Sequence, residues 1–316
     1  MADDQTGCWC TINAAKDYLY ESTTIMVTSP AIAVAIPLHS NNLSADDVFS
    51  VRNTFAKLRA YDIVFVIPVR LLDWLRKIGS TDGAIEATYV AFDDVYFESV
   101  ASYNRLLLTT EFYARFQRYE YLLIVQTDAL VFSDSLVEWC QKGFSFIGAP
   151  FLEGYGTPVV PYRFIGVGNG GFSLRRVAHF RRVLGYPLWW PRLWRGLTEK
   201  ALPIVDLIRT VIGDLKQGAG DLRVVEDEYF GATIPRVFKW FVVPEPEQAM
   251  YFSLEVAPSY GFGLMSNQLP FGCHAWKKYD AEFWEAIVVT EMFEQPSHVC
   301  SLEGLFSLHA RSCMPE

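Results

Sequence analysis

Short runs that are apolar at every position alternate with amphipathic stretches through the first half of the chain. Ala31 to Ile36 reads AIAVAI and closes on Pro37. A run with no polar face predicts a strand covered on both sides, as in a parallel sheet. Ser44 then stands before Asp47 in a capping-box-like start, and Val48, Val51, Phe55 and Leu58 follow at helical spacing. Ile63 to Ile67 (IVFVI) predicts the next buried strand, stopped by Pro68. Strand, helix and strand with short links form a βαβ unit, the building block of a doubly wound sheet. Residues 70–94 give no clear pattern. Phe97 to Phe116 predicts a helix with Val100, Tyr103, Leu107, Phe112 and Phe116 near one face. Tyr121 to Val125 (YLLIV) predicts a third buried strand, ending at Gln126, Thr127 and Asp128. Ser133 or Asp134 is expected to cap a short helix to Gln141, and Phe144 to Ile147 predicts a further strand.

The second half changes character. Glycine, proline and tryptophan rise, and the alternation fades. Gly166 to Gly171 (GVGNGG) predicts a turn before the short strand at Phe172, and residues 201–215 read as an apolar helical run. The expected architecture is α/β, one continuous domain across 1–316. Residues 28–150 form its ligand-binding half and 151–300 a more irregular second half, with 1–27 and 301–316 peripheral.

Composition narrows the class. Half the residues are apolar, enough for a sizeable core. The net charge of −9 and the lack of a basic run argue against nucleic acid as a partner. Cys8, Cys10, Cys140, Cys273, Cys300 and Cys313 contain no CxxC pair, and scattered cysteines suit a reducing compartment. Residues 1–17 lack a basic segment followed by an apolar run, and no apolar stretch is long enough to span a bilayer. The expected location is cytoplasmic, peripheral at the inner membrane face if the tryptophans below meet lipid.

Four places carry candidate chemistry, and each has a plainer reading. Asp128 follows a strand directly, where a carboxylate can bind a hard cation, or simply cap a turn. Glu226 and Asp227 are adjacent acids, whose mutual repulsion can raise one toward the range of a useful base, or they form a solvated acidic turn. His274, before Trp276, offers a metal ligand or a packed, hydrogen-bonded ring. Asn169, Gly170 and Gly171 allow close backbone approach to a ligand, or make only a tight turn. Trp189, Trp190 and Trp194, with Arg192, Arg195 and Lys200 nearby, could stack on sugars, sit at a membrane interface or pack internally.

The order of these motifs resembles that of GT-A glycosyltransferases. The run from Tyr121 to Phe132 (YLLIVQTDALVF) looks like their strand and DxD motif. The run from Gly168 to Arg175 (GNGGFSLR) looks like their acceptor-side glycine segment. Glu226 to Gly231 (EDEYFG) is similar to the Glu-Asp motif of inverting members such as the β-1,3-galactosyltransferase and Fringe relatives. Together with FIGAP at Phe146–Pro150 and PFGCHAW at Pro270–Trp276, these motifs also resemble a largely uncharacterised bacterial family found in surface-polysaccharide gene sets. The resemblance covers roughly residues 30–285.

The resemblance implies a GT-A fold and a transferase of hexosyl type. It would move a sugar from a nucleotide-diphosphate sugar, UDP-linked by default, to a glycan or lipid-linked glycan. Pro37, Leu38, His39, Gln126, Thr127, Asp128, Asn169, Gly170 and Gly171 fall where such enzymes hold the nucleotide sugar. Asp128 and His274 would hold Mn²⁺ or Mg²⁺, and Asp227, before Glu226, would take the acceptor proton. One departure is plain: the first acid of DxD is Gln126. It leaves room for a binding protein that has lost catalysis. A retaining transferase is a further alternative, against which the Glu-Asp motif argues.

Overall fold

Residues Ile32–Pro37 form strand β1, buried at every position. The structure is a computed structural model and describes residues 30–79, 88–188, 190 and 225–292. The expected peripheral termini, the 201–215 helical run, Trp189 and Trp194 lie outside the described residues, as do Arg192, Arg195 and Lys200.

β1, β2 (Asp62–Pro68), β3 (Thr88–Phe92) and β4 (Tyr121–Val125) run parallel, in the spatial order β3-β2-β1-β4. The sheet continues through β9 (Phe172–Arg176), antiparallel to β4, and then β6 (Phe146–Ile147). The expected mixed α/β architecture, a mostly parallel central sheet with helices, is therefore present. β4 shows why its run is apolar throughout. Leu122 and Ile124 enter one core with Phe112, Phe116, Phe180 and Phe230. Tyr121, Leu123 and Val125 enter the opposite core with Leu58, Trp139, Leu174 and Phe252. Each large side chain removed from water stabilises the fold by about 1.5–3 kcal/mol.

Helix α1 (Ala45–Leu58) starts where expected. The Ser44 and Asp47 side chains close a reciprocal capping box, and Val48, Val51, Phe55 and Leu58 are all buried. The unclear stretch at 70–94 holds α2 (Leu72–Gly79) and β3, the edge strand. The helix expected from Phe97 to Phe116 is instead two helices, α3 (Val100–Leu107) and α4 (Thr110–Arg115). Thr109 breaks it: its backbone is extended and its hydroxyl accepts the Phe112 N–H at 3.2 Å. Tyr103, Leu107, Phe112 and Phe116 are buried as expected, but Val100, at the start of α3, is 79% exposed. The short helix α5 (Leu136–Gln141) begins after Ser135, not after Ser133 or Asp134. The Asp134 carboxylate accepts the Tyr61 hydroxyl at 2.9 Å instead.

Two smaller sheets complete the described strands. β5 (Leu130–Val131), β10 (Ser253–Leu254) and β11 (Gly272–Cys273) form one, in the order β10-β11-β5. β7 (Pro150–Leu152) and β8 (Phe164–Val167) form an antiparallel pair. Helix α6 (Val177–Leu184) follows β9. Further on, the helical turn Glu226–Glu228 widens into a π-turn, Tyr229–Thr233, before Ile234–Val237. Gly231 lets this turn reach the β8 backbone, because a Cβ there would sit 1.9 Å from the Val167 carbonyl oxygen.

That contact yields a prediction. Gly231→Ala should destabilise the protein by about 1–3 kcal/mol, the usual cost of overpacking. Gly263→Ala, where a Cβ meets nothing within 4 Å, should be neutral or slightly stabilising. Urea denaturation of both variants checks the contrast.

Candidate functional site

The strand order reverses between β1 and β4: from β1 the chain winds through β2 and β3 to one side, then returns to β4 on the other. In open α/β sheets the crevice beyond the carboxyl ends of the strands at such a point is where ligands bind. Pro37, Leu38 and His39 leave β1 at this edge, and Gln126, Thr127 and Asp128 leave β4 beside them. Leu38 is fully buried, its N–H on the Val66 carbonyl at 2.9 Å. His39 is exposed, its ring edge-on to Phe97 and Tyr103 and its carbonyl accepting from Arg70.

The turn after β4 is held from three sides. The Gln126 N–H donates to the Gly171 carbonyl at 2.8 Å, and the Ala129 N–H closes the turn on the Gln126 carbonyl. Thr127 donates its hydroxyl to Asp47 at 2.7 Å, tying the turn to the capping box of α1. The Asp128 carbonyl accepts the Trp276 N–H at 3.3 Å. These bonds fix the backbone and leave the Gln126 and Asp128 side chains at the edge.

His274 follows β11 and meets both. Its Nε2 lies 3.0 Å from Gln126 Oε1 and 3.1 Å from Asp128 Oδ1. Its Nδ1 lies 3.0 Å from Glu255 Oε1. Burial by itself disfavours the imidazolium, but the hydrogen bonds and charges of Asp128 and Glu255 outweigh it and push His274 up to about 10. Asp128 in turn falls below its ordinary value: burial pushes it up, and His274 pulls it down further. The ring fits because of Gly171, where a Cβ would stand 2.1 Å from Nε2.

Asn169 shapes the glycine turn. Its backbone is left-handed at φ 68°, and its Oδ1 accepts the Gly171 N–H at 3.0 Å. Its amide Nδ2 donates to Glu255. Gly170 faces the acidic helical turn: a Cβ on it would lie 2.9 Å from Glu226 Oε2 and 4.0 Å from Asp227 Cβ. The cluster thus joins Gln126, Asp128, Asn169, Gly170, Gly171, His274, Glu226 and Asp227, which come from four separate stretches of sequence.

The adjacent acids differ sharply. Glu226 is buried and ion-paired with the buried Arg175 at 2.5 Å. Arg175 also donates to Tyr113 at 2.8 Å and to Ser173 at 3.1 Å. Burial raises Glu226 above the ordinary carboxylate range, with Arg175 opposing. The acidic run is therefore not a solvated turn. Asp227 is partly exposed, and its Oδ1 accepts the Glu228 N–H at 2.8 Å. Burial raises its carboxyl too; the Glu228 N–H opposes the shift and the nearby charge of Glu255 adds to it. The charge of Arg175 and the N–H of Gly170 pull the Asp227 carboxyl back down, against burial.

Residue Glu255 escaped the sequence reading, since a single acid after a two-residue strand carries no pattern. Tyr155, in the link between β7 and β8, also escaped it. This tyrosine is 47% exposed at φ 49°, and the charges of Glu228 and Asp227 act on its hydroxyl. Trp190 is half-buried and stacks on Tyr186 and Phe238, the packing role among its readings. Cys140 and Cys273 are buried free thiols. Among the described residues, no helix is long and apolar enough to cross a membrane, and no group of three His, Cys, Asp or Glu is placed to hold a metal ion.

A family model described as a protein of unknown function, DUF5672, matches residues 86–274. No curated protein matches the sequence. Among solved structures, the galactosyltransferase LgtC in complex with donor and acceptor sugar analogs is 12% identical, with a TM-score of 0.44, covering 83% of this chain and 97% of that one. The glycosyltransferase GlyE of Streptococcus pneumoniae TIGR4 is 12% identical, with a TM-score of 0.39 and coverage of 91% and 61%. The mannosyltransferase PcManGT from Pyrobaculum calidifontis, in complex with GDP-Man and Mn²⁺, is 14% identical, with a TM-score of 0.33 and coverage of 51% and 48%.

The two acids should separate in stability. Glu226→Ala strands the Arg175 guanidinium without its counter-charge and should cost about 3–5 kcal/mol. Asp227→Asn should leave stability at neutral pH unchanged or raised, because the folded state disfavours that ionised carboxylate. Urea unfolding of the two variants side by side measures the difference.

Proposed function

The chain belongs to the DUF5672 family of proteins of unknown function, and we propose that it is a glycosyltransferase of GT-A type, moving a sugar from a nucleotide-diphosphate sugar to a glycan or lipid-linked glycan. One observation carries this reading. Gln126 Oε1 and Asp128 Oδ1 converge on His274 Nε2 at the carboxyl edge of β4, beside the strand reversal, and Asp227 stands across the glycine turn.

The donor set suits a divalent cation. Octahedral ligands at about 2.1 Å from an ion stand about 3.0 Å from their neighbours. Gln126 Oε1 and Asp128 Oδ1 lie 3.0 Å and 3.1 Å from Nε2. One nitrogen and two oxygens match the preferences of Mn²⁺ and, less closely, Mg²⁺. Gln126 keeps a carbonyl oxygen where an acid would stand, so two acidic or histidine ligands are joined by an uncharged one. When bound, the ion supplies Lewis-acid stabilisation of a leaving diphosphate. Substrate phosphates ordinarily complete such a shell.

The chain's own residues do the rest. His39, at the end of β1, borders the nucleoside side of the crevice. The glycine turn at Gly170 and Gly171 borders the sugar side, its small residues leaving room for the donor. Asp227 takes the proton from the acceptor hydroxyl as its oxygen bonds to the anomeric carbon and the bond to the diphosphate breaks. Attack opposite the leaving group inverts the anomeric centre. Glu226, tied to Arg175, holds the turn that presents Asp227 and does not itself take the proton. The retaining alternative would need a nucleophile on the donor side, and Asp227 sits beyond the glycine turn from Asp128.

A second reading, a nucleotide- or glycan-binding protein without catalysis, is favoured by Gln126 alone. The same experiments separate it.

Isothermal titration with UDP and GDP, with Mn²⁺ or with chelator, should give micromolar binding of one nucleotide that requires the metal. Asp128→Ala should weaken it by at least about 10-fold, the scale of losing part of a metal's support. No binding of either nucleotide under any condition would remove this donor class. Once the donor sugar is found by screening, Asp227→Asn should lower kcat by about 10²–10⁴-fold with nucleotide affinity unchanged. Nucleotide binding with no turnover of any donor would establish the second reading.

A further inference from the structure

We infer that Glu255 is the positioning residue of this site: it aims His274 Nε2 at Gln126 and Asp128, and it locks the glycine turn to the same ring. The inference rests on the metal reading above and adds a residue to it.

Backbone pairing alone does not settle which way the ring points. β10 and β11 pair Ser253 with Gly272 and Leu254 with Cys273, and the His274 N–H donates to the Leu254 carbonyl at 3.1 Å. That ladder fixes the Cα of His274 and leaves its ring free to turn. Glu255, the next residue after β10, removes that freedom. Its side chain is only 16% exposed, and its Oε1 lies 3.0 Å from Nδ1. A carboxylate only accepts, so Nδ1 must carry a proton there. Nε2 donates to Asp128 and Gln126 by the same rule, so a cation held there would take the place of the Nε2 proton while Glu255 keeps the one on Nδ1.

Glu255 cannot itself be a ligand of the same ion. The two ring nitrogens point in different directions, and Glu255 holds Nδ1 while Gln126 and Asp128 face Nε2. A carboxylate behind a metal-bound histidine sets the tautomer and strengthens the ligand, and its loss typically costs about 10–100-fold in metal affinity.

The other oxygen of Glu255 accepts Nδ2 of Asn169. That bond orients the amide whose Oδ1 caps the N–H groups of Gly171 and Phe172. One largely covered carboxylate thus sets both the His274 ring and the glycine turn. Neither partner is close to the other in sequence, so this coordination is a property of the fold.

The test measures Mn²⁺ binding, not turnover. Free Mn²⁺ is followed by electron paramagnetic resonance during titration of the full chain with UDP present. Glu255→Gln, which keeps the shape and removes the charge, should weaken Mn²⁺ by about 10–100-fold. Glu255→Asp should recover part of the loss. Unchanged Mn²⁺ affinity in Glu255→Gln, with a wild type that binds, overturns the inference and leaves the metal reading standing. A wild type that binds no Mn²⁺ overturns the metal reading itself. Should Glu255→Gln fail to fold, ¹⁵N spectra of histidine-labelled wild type with Mg²⁺ and UDP decide the question, with His274 assigned by His274→Gln. A proton on Nδ1 and none on Nε2 supports the inference, and the opposite tautomer overturns it.

Discussion

The buried pair between Arg175 and Glu226 is the constraint on which the arrangement of the site depends. Arg175 lies on β9, inside the sheet, and Glu226 opens a helical turn that belongs to no strand. The guanidinium is enclosed by the Phe146 and Phe180 rings and donates to Tyr113, Ser173 and Glu226. Burying an isolated charge of this kind costs several kcal/mol, so the pair persists only because its donors are matched. The match specifies position. Glu226 can sit in one place, and Asp227, the next residue, is then presented toward the glycine turn. Two acids with the same sequence environment thus acquire different work, one as a structural clamp and one as an available carboxylate.

A second constraint is steric. The glycine turn, the histidine ring and the acidic turn approach so closely that ordinary side chains do not fit between them. A Cβ on Gly171 would stand in the His274 ring, and one on Gly231 would strike the β8 backbone. Asn169 accepts a left-handed backbone so that its amide can hold the turn from inside. The segment that binds the sheet to the site is therefore built from residues chosen for absence of bulk, and its polar atoms are satisfied by one another. Short elements position each group: Gln126 and Asp128 follow β4, His274 follows β11, Arg175 lies on β9, and Glu226 and Asp227 open a helical turn.

Much of this was legible in the sequence, and the reason is local. β1, β2 and β4 read correctly because a strand covered on both faces leaves a continuous apolar run, and α1 because its cap and its buried face coincide. The break at Thr109 escaped the pattern, since the apolar spacing continues across it while the Thr109 hydroxyl restarts the helix. β3 escaped because an edge strand is only half covered, and its burial is correspondingly mixed. Asp128, His274, Asn169 and Asp227 were visible as residue types at motif positions. What no motif could give was their neighbours. Arg175 looked like the end of a strand motif, and Glu255 like any acid after a short strand. Both gain their meaning from contacts between segments far apart in the chain.

The glutamine at 126 is best understood through that same crowding. Asp128 and Glu255 already hold one imidazole from two sides, and Asp227 and Glu226 stand just beyond Gly170. A carboxylate at 126 would add another negative charge about 3 Å from the same ring, where Asp128 and Glu255 already press on it. Glutamine supplies an oxygen of similar reach without that charge. For a chain with a net charge of −9, bringing the proposed diphosphate close would be an electrostatic problem before a chemical one. An uncharged donor at this position lessens the repulsion while preserving the oxygen that faces Nε2. The departure from the acidic motif is thus consistent with binding an anion at this edge, and is not by itself a sign that the site has decayed.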